Sequence, residues 1–147
     1  MKTILHPSDA EQIIHRVKQL NASSYRRWGR LSVGEMIYHC TCVNLAVSGA
    51  PPSQKSPSLK QHLLRILVLD ILKKLPRGAR GDPEFFSRQV IPFTDQGKED
   101  LLSSIRVFGD KNIIPGGQHH VFGRLSQRNW GRFIWIHLDH HLRQFGE

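Results

Sequence analysis

The stretch Trp130-Gly-Arg-Phe-Ile-Trp-Ile-His137-Leu-Asp-His140-His141-Leu-Arg-Gln-Phe145 decides how the chain is read. Its apolar residues recur at three- and four-residue spacing, the pattern of an amphipathic helix. At about 100° per residue, Trp130, Phe133, Ile134, Leu138 and Phe145 fall on one stripe. His141 lies inside that stripe, His137 on its shoulder and His140 on its edge. Side chains at i and i+4 stand one above the other, so His137 and His141 can share one metal ion. A lone histidine on an apolar face is ordinarily a hydrogen-bonded core residue. Two of them one turn apart are harder to explain by packing, because a core gains little from adjacent polar rings.

A third histidine sits on a second, well-signalled helix. Ser32-Val-Gly-Glu35 is a capping box, and Leu31 and Met36 have the spacing of a hydrophobic staple. The predicted helix runs from Val33 to Val47 with Met36, Cys40, Val43 and Val47 facing inward, and His39 shares that side. His39, His137 and His141 are therefore the candidate metal ligands. Neutral imidazoles suit zinc, nickel, iron or copper. Three protein ligands leave a coordination position open, as in catalytic sites that activate a water or a thiol. Cys40 is turned about 100° from His39 and makes a poor fourth ligand. Asp139 points away from the pair on the last helix. Glu35, four residues before His39, is the nearby carboxylate to consider as a base or as an orienter of the imidazole, in competition with its capping role. His119 and His140 are candidates for a pocket wall.

The rest of the chain supplies further helices. Ser8-Asp-Ala-Glu11 reads as a capping box opening a helix from Asp9 to Leu20, with Ile13, Ile14, Val17 and Leu20 inward. Gly49 to Ser58 is a Pro- and Ser-rich loop. Leu59 to Leu75 is a basic amphipathic segment, expected to cover the core, with a membrane surface as the other use of such a pattern. Glu84 to Phe93 has no clear period. Thr94 or Asp95 caps a helix bearing Leu101, Leu102, Ile105 and Phe108, and Ser126 caps the last one. Ile113 to Gly123, with His119 and His120, reads as an exposed polar loop. No alternating strand and no repeat is evident. The expectation is an all-α bundle of four helices with one weaker extra helix, in which Gly49 to Phe93 is long enough for a crossover.

Composition narrows the class. A chain of 147 residues suits one domain with a sizeable core. The net charge of +9 favours anionic partners in a general way, but the cations are spread along the sequence rather than gathered in an Arg-rich arm. Cys40 and Cys42 point too far apart on a helix to pair with each other, so no disulfide framework exists. The N-terminal residues lack the apolar run of a signal peptide, and Ile66 to Leu72 is far too short to span a bilayer. These features lead us to expect a cytoplasmic protein. P-loop, dinucleotide-binding and Ser-nucleophile patterns are absent.

Three segments carry a family resemblance: Trp28-Gly-Arg-Leu-Ser-Val-Gly-Glu-Met-Ile-Tyr-His39, His119-His-Val-Phe-Gly-Arg-Leu-Ser-Gln-Arg-Asn-Trp130 and His137-Leu-Asp-His-His141-Leu-Arg-Gln. Together they resemble the DinB/YfiT-like superfamily, in particular a functionally uncharacterised branch of it. The resemblance implies a four-helix bundle with a crossover and a divalent metal, zinc or nickel, held by a histidine triad that falls on His39, His137 and His141. It also implies a small-molecule substrate. Some relatives are transferases or isomerases that use low-molecular-weight thiols, and homodimers are common. One departure stands out: His120 occupies the position before Val121-Phe122-Gly123 where this branch usually has proline. The resulting expectation is a metal-dependent enzyme acting as a thiol transferase or a hydrolase. The rival is a non-catalytic basic module, with Arg26, Arg27, Arg30 and the Lys60 to Arg80 region meeting anionic surfaces or, less in keeping with the scattered charge, nucleic acid.

Overall fold

In a computed structural model, which describes residues 1–79 and 81–147, the chain is mostly helical. Helix α1 spans Pro7–Gln19, α2 Val33–Gly49, α3 Leu59–Arg65, α4 Asp95–Arg106 and α5 Gln127–Gln144. Helix α4 packs on α1 and α2, and α5 on α1 and α2. The core lies inside that ring. It includes Ile13, Ile14 and Val17 of α1, Met36, Cys40, Val43 and Val47 of α2, Leu101, Leu102 and Ile105 of α4, and Trp130, Phe133, Ile134, Leu138 and Leu142 of α5.

Local chemistry explains most boundaries. The Ser32 box forms in full: its hydroxyl accepts the Glu35 amide at 3.2 Å, and the Glu35 carboxylate accepts the Ser32 amide at 2.8 Å. Thr94 caps α4 through the Gly97 amide, and Ser126 caps α5 through that of Asn129. The expected box at Ser8 does not form. Pro7 takes the first helical position, where its fixed φ suits the helix and its missing N–H costs nothing. Ser8 therefore lies inside the first turn, its hydroxyl 3.0 Å from His6 Nδ1.

Two departures concern longer segments. The stretch read as one covering helix splits into α3 and a π-helical continuation, Ile66–Leu72, which ends at Lys73 in the left-handed region with φ 54°. Of these fourteen residues Val68 and Leu69 are buried and Leu64 packs half-buried against the core, so the segment meets the core along one narrow side and leaves most of its apolar side chains outside. The loop expected to be exposed folds into a small antiparallel hairpin, β1 Gln118–His119 and β2 Gly123–Arg124, and His119 is buried in it. Arg80, the last cation of the basic region, lies outside the described residues.

The crossover returns over the start of α2, and a glycine makes this possible. A Cβ on Gly34 would meet the Ile91 carbonyl oxygen at 2.3 Å and the Pro92 carbonyl carbon at 2.4 Å. These are backbone atoms that cannot rotate aside. Gly34 thus lets residues 91–92 lie directly on α2, one turn before His39.

Candidate metal centre

Helices α2 and α5 bring three imidazoles together inside the ring. His39, His137 and His141 are each buried, the most accessible being 8% exposed. Their ligand atoms all lie within 4.8 Å of one another. The Nε2 atoms of His39 and His137 stand 3.1 Å apart. No cysteine or carboxylate joins the set among the described residues.

Hydrogen bonds fix which nitrogens face inward. His39 Nδ1 lies 3.0 Å from the Phe85 carbonyl oxygen. A carbonyl only accepts, so Nδ1 carries the proton and the neutral ring leaves its Nε2 lone pair toward the cluster. His141 Nδ1 is 2.8 Å from Gln144 Oε1, which by the same reasoning leaves Nε2 as its free nitrogen. His137 directs Nε2 at His39 and has no partner for its buried Nδ1 among the described residues. Aromatic rings hold the imidazoles in place. Phe86 stacks on His39 with centroids 4.3 Å apart, and Phe133 stacks on His137 at 5.5 Å.

Electrostatics keep these rings neutral. Burial pushes the pKa of His39 down, opposed by its bond to Phe85. That of His137 is lowered strongly, by burial and then by the neighbouring His141 and His39. Burial and His39 lower His141 to about 3. A neutral imidazole with its lone pair free is the form that binds a metal.

The donor set fits such an ion. Two nitrogens each about 2.0–2.1 Å from one tetrahedral zinc stand about 3.3 Å apart, close to the His39–His137 separation. The widest separation in the set, up to 4.8 Å, exceeds that spacing, so the third ring has to move inward by up to about 1.5 Å to reach the same ion. Without an ion, the two facing Nε2 atoms can share at most one proton, and the buried Nδ1 of His137 has no partner among the described residues.

The other residues singled out by sequence lie elsewhere. Glu35 does not orient an imidazole, since its carboxylate closes the α2 cap and the Phe85 carbonyl holds His39 instead. His119 stays outside the triad. Its Nδ1 accepts the Val121 and Phe122 amides at 3.1 and 3.2 Å, and its ring packs on Phe122 and Phe133. Burial, with His120 beside it, brings its pKa to about 3. His140 forms a side wall rather than a ligand, edge-on to Trp28 at 4.9 Å and to His141 at 5.3 Å. Asp139 faces outward and pairs with Arg16 and Arg143. Cys40 is buried with its pKa raised by desolvation, and Cys42 is also a free thiol. Phe85, Phe86 and Gln144 escaped the sequence reading. Gln144, three residues after His141, was the one with a spacing signal.

The triad is covered in this structure. Phe85 and Phe86 roof His39, and a Cβ on Gly81 would strike the Phe86 ring at 2.8 Å. Two surface hollows, one of about 410 Å³ beside the start of α5 and one of about 100 Å³ beside Gly34, are lined by other residues.

Fold and site together define a helical protein with a buried three-histidine cluster that can hold a metal ion. The chain belongs to the family described as "Protein of unknown function (DUF1569)", whose members' pattern it matches over residues 1–147. Neither the curated proteins nor the solved structures contain a significant match.

Proposed function

We propose that this is a metal-dependent enzyme of DinB/YfiT-like type, a four-helix bundle with a long crossover that binds zinc or nickel through His39, His137 and His141. One observation carries the reading: three buried imidazoles from two helices each offer a ring nitrogen, and these nitrogens all lie within 4.8 Å of one another. The sequence resemblance selects the same three residues.

Bound there, a divalent metal with three protein ligands supplies a Lewis acid that lowers the pKa of a coordinated water or thiol. The chain's own residues do the rest. Phe85 and Gln144 hold the tautomers of His39 and His141, as partners of ligating imidazoles do. Phe86, Phe133 and Trp28 keep the surroundings apolar, which strengthens interactions inside and excludes bulk water. No carboxylate sits in the set, so a substrate carrying its own acidic proton, such as a small thiol, suits the site. The reaction is transfer of that thiol to an electrophile or hydrolysis. For substrate to reach His39, the Phe85–Phe86 cover has to move.

The test is calorimetric titration of the metal-free protein with zinc and with nickel at neutral pH. The proposal expects about one ion per chain, with binding abolished in a folded His141→Ala protein. Equal binding by that variant would reject the assignment.

A further inference from the structure

The segment that covers the core with only one narrow side exposes a row of large apolar side chains. Leu59, Leu63, Leu67 and Ile71 are 76, 57, 42 and 64% exposed, and Leu72 lies beside them, also exposed. Their four-residue spacing puts neighbours one turn apart. In a regular helix such a row drifts around the axis. The wider π turn over Ile66–Leu72 reverses part of that drift, so Ile71 returns toward the line of the first three. The result is a ridge about 20 Å long, at roughly 1.5 Å per residue.

The ridge is a fixed feature. A complete capping box at Ser58 and Gln61 starts it. Val68 and Leu69 bury one side against the core. Asp70, on the π turn, is held 2.7 Å from the largely buried Arg132 of α5, with Arg65 3.7 Å away. Exposed apolar side chains grouped this way mark an interaction surface.

Charge identifies the occupant. From Lys55 to Arg80 the sequence has seven lysines and arginines against one acid, Asp70, and that acid is already taken by Arg132 and Arg65. Lys60, Lys73 and Lys74 are exposed along the segment. A second copy docking ridge to ridge would set these cations against themselves. An anionic lipid surface accepts both parts, with leucines entering the acyl boundary and lysines meeting the headgroups. No helix of the described residues is long and apolar enough to cross a membrane, so the contact is peripheral. We propose that the ridge Leu59–Leu72 docks this protein on the surface of anionic membranes.

The test is co-sedimentation of the full chain with vesicles of phosphatidylcholine alone and of phosphatidylcholine mixed with phosphatidylglycerol. The ridge predicts binding to the mixed vesicles that weakens as salt rises, and far less to the neutral ones. Leu63→Glu/Leu67→Glu alters exposed positions, so far-UV circular dichroism and the melting temperature should be retained while binding is lost. Lys73→Glu/Lys74→Glu should weaken binding at least about 25-fold, at about fivefold per lysine. Binding unchanged in the leucine variant, or no preference for anionic vesicles, would overturn the proposal. So would a solution dimer that the leucine variant dissociates.

Discussion

Helix α5 and the α3–π segment are both amphipathic, and they use that pattern in opposite ways. Helix α5 places its apolar stripe inward and carries three histidines with it; all three are buried. The α3–π segment turns Leu59, Leu63, Leu67 and Ile71 outward and buries only Val68 and Leu69. Periodicity identifies a helix, but it does not say which neighbour the stripe meets. In α5 the polar rings sit inside with partners for only some of their nitrogens: His141 Nδ1 meets Gln144, while His137 Nδ1 and His140 Nδ1 have none among the described residues. In the α3–π segment the apolar row remains outside because Leu64, Val68 and Leu69 form the side that packs on the core.

The sharpest break in that comparison is a pair of matched truncations. Leu138→Ala, in the core of α5, should cost about 2–5 kcal/mol of unfolding free energy. Leu63→Ala, on the exposed ridge, should stay within about 0.5 kcal/mol. Urea denaturation of the two variants checks this, and similar losses would mean that the ridge is packed in solution.

Next in size is the response of the metal-free protein to acid. The folded pKa values of His119 and His141 are lowered to about 3 by burial, against about 6.5 in an unfolded chain. Between those values the unfolded chain binds protons that the folded one excludes. Stability is therefore full above about pH 6.5 and falls as the pH drops toward 3, by up to about 1.4 kcal/mol per pH unit for each such histidine. Urea midpoints at pH 7 and pH 5 measure it; equal midpoints would contradict the buried neutral state. The histidine of the ridge segment, His62, is exposed.

A smaller effect sharpens the account of the site. Gln144→Ala removes the partner of His141 Nδ1 and should weaken metal affinity about 10–100-fold. Glu35→Gln should leave that affinity unchanged, because Glu35 serves the α2 cap. Competition titrations with a chelator distinguish the two; a larger effect at Glu35 would reverse their roles.

The features visible in the sequence were those written in side chains at fixed spacing. The α2 box at Ser32 and Glu35, the caps at Thr94 and Ser126, and the grouping of His39 with His137 and His141 all depend on local rules. What escaped depends on backbone or on long-range packing. The Phe85 carbonyl that holds His39 has no side-chain signature. The Ser8 box had the right spacing but lacked the hydrophobic staple that supports the one at Ser32, and it lost to Pro7, whose fixed φ starts the helix earlier. The hairpin holding His119 has two-residue strands, too short for an alternating pattern, and the π turn at Ile66 breaks no rule of composition. Gly34 gave no hint of its part, since only the returning crossover makes a side chain there impossible.

The most direct measurement is the metal content of protein purified without a nickel column, by mass spectrometry, beside a folded His137→Ala/His141→Ala variant. The three-histidine account predicts about one equivalent of zinc or nickel in the parent and none in the variant. Absence of metal from both, even after zinc or nickel is added at neutral pH, would contradict it and leave the histidines as core residues.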